Sequence, residues 1–367
     1  MTLRMMIAGG GTGGHLFPGI AVAEAARRRD PAAAVLFVGS PRGIEARVVP
    51  TTGFDLELLP GAPLRGRNVA GKVAALGALG AATLRARTLV RRFAPDAVVG
   101  LGGYASAPAV LAARLAHVPI VLLEQNARPG LTTRLLARLA DRVCVSFPDT
   151  HTGLPADRAV FTGNPVRRFS ASAAGPARRS AGLTIAIVGG SAGAQRLNQA
   201  GPALRAALAD VPGLTLIHQT GFAEEATVRT SYAGAPGVEV RAFITDMGAV
   251  YGAADLIVCR AGATTIAELA AQGLPAIFVP YPHAADDHQR ANAEALVRAG
   301  AARMVLDHQA TGKRLAAEVR ELIAAPGALP EMRARMRQFA RPDAADRVLD
   351  VVASLAGSTA PGARHNE

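Results

Sequence analysis

The chain has 367 residues, of which 50% are hydrophobic and 19% charged, enough apolar material for a large core and too much for an intrinsically disordered chain. Its two cysteines, Cys144 and Cys259, each lie inside an apolar run, which excludes a disulfide scaffold and fits a reducing cytosol. The formal charge of +12 is unevenly placed, since residues 1–164 hold 19 of the 40 basic residues but only 10 of the 28 acidic ones; such an excess suits a phosphorylated substrate or an anionic membrane surface. The absence of tryptophan and the 4% aromatic content argue against a stacking platform for nucleic acid.

The apolar start at Met5–Ala8 turns into glycines at once, too short for the core of a signal peptide. The uncharged stretch 97–113 carries three glycines and a proline and falls short of the ~20 apolar residues that span a bilayer. Secretion and a transmembrane helix are therefore not expected. In chain order, apolar runs at 4–8, 34–38, 56–59, 97–100, 120–123 and 143–145 alternate with helical patterns, as parallel βαβ units do. The segment 165–182 has small, polar and basic residues without periodicity and reads as a linker. The rhythm then restarts with strands at 183–188, 214–218, 238–241, 256–259 and 276–279. This predicts two doubly wound α/β domains, 1–164 and 165–340, with a C-terminal helix over 341–356 packing back on the first and a frayed tail at 357–367.

Each predicted domain opens with a strand, a glycine turn and a helix: Gly9-Gly10-Gly11-Thr12-Gly13-Gly14 and Gly189-Gly190-Ser191-Ala192-Gly193. The carboxyl edge of a parallel sheet is where ligands bind, so two such edges facing each other would form an interdomain cleft. The first turn matches the dinucleotide fingerprint G-x-G-x-x-G, but the second strand ends Val38-Gly39-Ser40-Pro41-Arg42 with no acid to hold a ribose, which disfavours NAD. His15 follows at a helix start, where amides and dipole favour anions and lower the proton affinity of an imidazole, as a base requires. A further glycine loop holds Gly102, Gly103 and Tyr104. The run Leu122-Leu123-Glu124-Gln125-Asn126 switches from a buried strand to a carboxylate and two amides.

Residues 259–293 carry the strongest local signal. A strand delivers Gly262 to a helix start at Ala263, Thr264 and Thr265, and six residues on Glu268 offers two oxygens to vicinal hydroxyls, the outline of a nucleoside grip. A polar His288-Gln289 pair follows Pro280 on a predicted loop. None of the 15 aspartates forms a D-x-D pair, so no metal-clamped diphosphate is expected and no cofactor is required. The segment 64–93 interleaves Lys72, Arg85, Arg87, Arg91 and Arg92 with Val73, Leu76, Leu79 and Leu84. It reads either as a face for anionic lipid headgroups or as a core-facing stripe of Leu76, Leu79, Val90 and Phe93 with a solvated basic face.

Together, Gly10-Gly11-Thr12-Gly13-Gly14-His15, Gly102-Gly103-Tyr104, Glu124-Gln125-Asn126, Gly163-Asn164-Pro165-Val166-Arg167, Gly189-Gly190-Ser191-Ala192-Gly193-Ala194 and 259–293 resemble, in order and over nearly the whole chain, the MurG family of N-acetylglucosaminyltransferases, which complete the lipid-linked disaccharide precursor of peptidoglycan. The resemblance implies a GT-B fold, two Rossmann-like domains facing an interdomain cleft. It also implies UDP-N-acetylglucosamine as donor, a lipid-diphosphate muramyl-pentapeptide as acceptor, and a peripheral place on the cytoplasmic face of the bacterial inner membrane beside other cell-wall synthesis proteins. Carried over by motif, Ser191, Arg167, Ala263, Thr264 and Thr265 meet the diphosphate and Ile244 meets uracil through its backbone. Glu268, behind Ile266 and Ala267, meets the ribose, and Asn126 and Gln289 the transferred sugar. Thr12, Gly13 and Gly14 join the substrate set, Gly102, Gly103 and Tyr104 the acceptor side, with His15 as base and Glu124 as second candidate. Another GT-B enzyme or a nucleotide-sugar epimerase with a different substrate, or a non-catalytic nucleotide-binding scaffold, stays open at this level.

Overall fold

The computed structural model describes residues 2–59, 69–150, 153–167, 182–190 and 193–358; Ser191, the basic run 64–68, most of the predicted linker and the tail beyond 358 lie outside the described residues. The chain forms two compact units, Met1–Arg167 with Arg341–Glu367, and Arg168–Ala340.

The first unit is built on seven strands, β1 (Arg4–Ala8), β2 (Ala34–Gly39), β3 (Asp55–Leu58), β4 (Ala97–Gly100), β5 (Ile120–Glu124), β6 (Arg142–Val145) and β7 (Ala159–Phe161), with helices α1 (Gly13–Arg29), α2 (Glu45–Val48), α3 (Val69–Phe93), α4 (Ala107–Leu115) and α5 (Leu131–Leu136). Every pairing is parallel and the order is β3-β2-β1-β4-β5-β6-β7. A parallel sheet buries both faces, which is why its central strands read as unbroken apolar runs. Met5 and Ile7 pack with Leu16 and Ile20 of α1 on one face, while Met6 and Ala8 pack with Leu89, Val90 and Val110 on the other. On α3 the inward stripe is Ala82, Ala86, Leu89 and Val90, whereas Leu76 and Leu84 are 58% and 67% exposed. Leu76 therefore leaves the core stripe that the sequence allowed it.

The second unit holds β8 (Thr184–Val188), β9 (Thr215–Gln219), β10 (Val238–Arg241), β11 (Leu256–Cys259), β12 (Ala276–Phe278) and β13 (Ala302–Met304), again all parallel, in the order β10-β9-β8-β11-β12-β13. Its helices are α6 (Gln195–Ala207), α7 (Glu225–Ser231), α8 (Met247–Ala253), α9 (Ala263–Gln272), α10 (His288–Arg298), α11 (Gly312–Ala324) and α12 (Ala328–Arg337). Ile185 and Ile187 of β8 pack against Leu197 and Leu204 of α6 and Leu315 and Val319 of α11. A polar chain runs through this core: fully buried His218 meets the Tyr232 hydroxyl at 2.8 Å through Nδ1 and Asn198 Oδ1 at 3.2 Å through Nε2, and Asn198 Nδ2 donates to Thr220 O and Glu224.

The last helix, α13 (Ala344–Ser358), returns to the first unit, where Val348, Leu349 and Val352 join the cluster of Met5 and Ile7. Burial of each side chain stabilises this attachment by about 2 kcal/mol. Arg29 at the end of α1 pairs with Asp346 at 3.2 Å and Asp350 at 2.6 Å, exposed contacts that add little. Strands β7 and β13 were not anticipated. Both are three-residue edge strands, and β13 carries Arg303, which pairs with buried Glu318 and exposed Glu321 of α11. Both cysteines are buried free thiols, and burial pushes that of Cys144 up to about 12.

Candidate functional site

In each sheet the strand order reverses beside the first strand, between β1 and β4 and between β8 and β11. Ligands bind at the carboxyl ends of strands at such switch points. Both strands flanking each switch point run into a glycine turn: Gly9–Gly11 after β1, Gly102–Gly103 after β4, Gly189–Gly190 after β8 and Gly262 after β11.

In the second domain, Gly193 has φ +77, and a Cβ there would collide with the Thr220 carbonyl, so glycine is required for the turn to lie against the end of β9. Gln219, the last residue of β9, spans two loops: its Nε2 donates to Gly190 O at 2.8 Å, and its Oε1 accepts from Ile244 N at 3.2 Å. The glycine turn and the Ile244 backbone are thus tied by one neutral side chain, which sequence patterning gave no reason to single out. Phe222 and Phe243, both exposed, stack beside Ile244 with ring centroids 6.2 Å apart.

Helix α9 begins after Gly262, whose extended backbone supplies no side-chain cap. The first-turn amides of a helix point away from its own ladder, and with the dipole they suit an anion. Ala263 and Thr264 are buried and Thr265 is half-buried in that turn. Ile266 packs inward, and Glu268, only 6% exposed, accepts from the Tyr251 hydroxyl at 2.9 Å through Oε2. Tyr251, on α8, is a second residue that the sequence did not flag. Arg260, just before the turn, donates to Val279 O at 3.0 Å and Asp307 at 2.5 Å, joining the ends of β11, β12 and β13. His288 and Gln289 open α10 instead of lying on a loop. Asp286 and Asp287, both at φ +54, turn the chain immediately before them. Gln289 Oε1 accepts from Tyr281 N at 2.9 Å, and His288 Nδ1 contacts Ala285 O at 2.7 Å.

In the first domain, α1 starts after Thr12, whose hydroxyl lies 3.0 Å from Nδ1 of half-buried His15. The ring lies beside Gly102: a Cβ at Gly102 would stand 3.3 Å from His15 Cδ2. Gly13 and Gly14 carry no side chains into this turn, and Tyr104 is half-buried after Gly103. Glu124 ends β5, with 2% exposure. It accepts from Asn126 N at 3.0 Å and Asn126 Nδ2 at 3.2 Å through Oε1, and from Gly130 N at 3.0 Å through Oε2. Burial raises its pKa above the ordinary carboxylate value, against the opposing hydrogen bonds from Asn126, Thr133 and Gly130. Its carboxyl group thereby fixes Asn126 and the approach to α5. Arg167 stacks over the Phe17 ring of α1 at 4.2 Å and falls within the first compact unit.

Known proteins place the chain. The glycosyltransferase family 28 N-terminal domain matches residues 5–145 and the family 28 C-terminal domain residues 184–348. Two relatives, from Citrifermentans bemidjiense and Geobacter sp. (strain M21), are each 47% identical, the first over 96% of this chain and 99% of its own length, the second over 95% of each. Both are named UDP-N-acetylglucosamine--N-acetylmuramyl-(pentapeptide) pyrophosphoryl-undecaprenol N-acetylglucosamine transferase. The crystal structure of Acinetobacter baumannii MurG, 35% identical, superposes with a TM-score of 0.77 over 96% of this chain and 99% of that one. Two parallel doubly wound domains, with glycine turns at both switch points and both family 28 domains matched, make this chain a member of glycosyltransferase family 28, in its MurG branch.

Proposed function

We propose that the chain transfers N-acetylglucosamine from UDP-N-acetylglucosamine to undecaprenyl-diphospho-N-acetylmuramoyl-pentapeptide, the transfer for which its relatives are named, and that the attacking group is the 4-hydroxyl of the muramic acid. The observation that carries this reading is α9, an N-terminus without a side-chain cap followed by a buried Glu268 oriented by Tyr251, within a chain matched over both family 28 domains. An anionic diphosphate suits the helix start, with Ser191 and Arg167 assisting, and the ribose diol suits the carboxylate. The Ile244 backbone meets uracil, and Asn126 and Gln289 take the sugar. Thr12, Gly13 and Gly14 join the substrate-binding set, and Gly102, Gly103 and Tyr104 belong to the acceptor side.

In this reading the acceptor oxygen bonds to the anomeric carbon as the bond to the diphosphate breaks, with inversion. UDP leaves with the bonding electrons, and the hydroxyl proton passes to a base. His15 suits that role better than Glu124, whose oxygens are occupied by Asn126 and Gly130. In the tautomer that carries its proton on Nδ1, Thr12 Oγ1, 3.0 Å away, accepts from it and the basic lone pair lies on Nε2. Charge on the leaving diphosphate is met by amides, helix dipole and arginine, and no metal is assigned a role.

The acceptor is a lipid, and we assign membrane contact, on the cytoplasmic face of the inner membrane, to the outer face of α3. There Leu76 and Leu84 stand exposed beside exposed Arg85, Arg91 and Arg92, the mixture that docks on anionic headgroups. Among the described residues no helix is long and apolar enough to cross a membrane. Flotation with anionic liposomes, lost in Leu76→Glu/Leu84→Glu, is the expected result; salt-insensitive absence of binding overturns the assignment.

The test of the activity is UDP release from UDP-N-acetylglucosamine, with UDP-N-acetylgalactosamine as control, with and without the lipid acceptor. Acceptor-dependent release from the gluco sugar alone is expected. Release without acceptor would point to an epimerase instead, and tight UDP binding with no release would discard the acceptor.

A further inference from the structure

The sequence shows no acid at the end of β2, yet three residues beyond Arg42 comes Glu45, and its carboxyl group is 1% exposed. It turns back beneath the first glycine loop. Oε2 accepts from Gly11 N at 2.7 Å; Oε1 accepts from Ser40 N at 2.8 Å and from Ser40 Oγ at 3.0 Å. Three glycines make room for it, because a Cβ at Gly10, Gly39 or Gly43 would overlap the Glu45 side chain. The loop that leads into Thr12 and His15 therefore rests on a buried carboxylate delivered from a different βα connection, 34 residues along the chain.

We propose that Glu45 is a positioning residue for the transfer reaction: by holding the Gly11 amide it sets the backbone course into α1, and hence the place of His15 and its Thr12 partner. The proposal rests on the reading that this loop serves the substrates and the base. The chemistry of the contact explains why a carboxylate is needed. A backbone N–H donor faces each of its two oxygens, so both must accept. A glutamine of the same shape has one accepting oxygen and one donating NH2; whichever way it is flipped, one of the two backbone amides meets a donor and is released. Small displacements of a base relative to a bound nucleophile cost rate far more than they cost binding of a substrate held elsewhere.

Glu45→Gln is the test, since it keeps the side-chain volume while removing one acceptor and so separates positioning from packing. It is compared with His15→Ala in the acceptor-dependent assay, with UDP affinity and amide hydrogen exchange measured on the same full-length preparations. The expected result is a kcat lower by on the order of tenfold to a hundredfold, an unchanged Kd for UDP, and faster exchange confined to the Gly11 and Ser40 amides. A purely structural role would lower the melting temperature and leave kcat intact well below it, which overturns the proposal. If His15→Ala abolishes turnover while Glu45→Gln does not, Glu45 has no positioning role. If both variants turn over normally, the reading of the loop fails, and unaltered Gly11 exchange would then also remove the brace. Should Glu45→Gln not fold, Gly43→Ala displaces the carboxylate while keeping its charge, and the same loss of kcat with unchanged UDP affinity is expected.

Discussion

The two domains share one plan, a glycine turn after the first strand of a doubly wound sheet, but they hold that turn in opposite ways. In the first domain the brace is a buried carboxylate, Glu45, that takes an amide donor from the loop. In the second it is the neutral amide of Gln219, which takes a carbonyl acceptor, Gly190 O. Holding a turn by its carbonyl spends none of its N–H groups, and a neutral brace adds no repulsion toward an anion. The same sequence grammar thus yields one turn that tolerates negative charge at its back and one that keeps it away, which fits a donor diphosphate on the second.

The largest effect that would sharpen this contrast is at the first loop. His15→Ala should lower kcat by roughly 10²- to 10⁴-fold with little change in UDP affinity, read by acceptor-dependent UDP release; unchanged turnover removes His15 from the chemistry. The next concerns the interiors. Burial lowers the pKa of His218 from 6.5 to about 4, so the unfolded chain binds the proton first as pH falls. The associated stability is complete above pH 6.5 and is lost progressively toward pH 4, by up to about 3 kcal/mol. Urea unfolding between pH 7 and 4 should show this loss, and His218→Leu should flatten it; an equally steep slope in the variant would assign the loss to other groups. Gln219→Glu puts a carboxylate behind the second turn and should weaken UDP binding about tenfold, ~1.4 kcal/mol, whereas equal binding in calorimetry would break the comparison. The smallest effect is Tyr251→Phe. Loss of one hydrogen bond to Glu268 costs about 1 kcal/mol, a severalfold rise in donor KM with kcat unchanged.

Much of the fold was legible because buried parallel strands are continuous apolar runs and their ends are marked by glycine. Met5–Ala8 and Leu256–Cys259 satisfy both conditions, and they carry the turns on which the site is built. Ala159–Phe161 and Ala302–Met304 are three-residue strands at sheet edges, too short to stand out as runs, and the second is interrupted by Arg303. Gly262 and Glu268, at the start of and within α9, and His15, just after the glycine turn at the start of α1, stood out because each pattern is local. Glu45, Gln219 and Tyr251 act across 34, 29 and 17 residues, and tertiary partners at such separations leave no periodic trace. One trace was available for Glu45: two glycines, Gly39 and Gly43, close before an isolated acid.

The return of α13 to the first sheet has a consequence for synthesis. The ribosome makes the strands of the first domain early, yet Val348, Leu349 and Val352 complete the apolar layer over Met5 and Ile7 only when nearly the whole polypeptide has emerged. All the strands and helices of the second domain are made before then. The domain begun first is finished last, and until then an apolar groove on a tethered nascent chain is open to chaperones. A premature stop between residues 290 and 343 would leave that groove permanently uncovered, so such truncations should be cleared by proteolysis even though every residue assigned to the two sites has been translated.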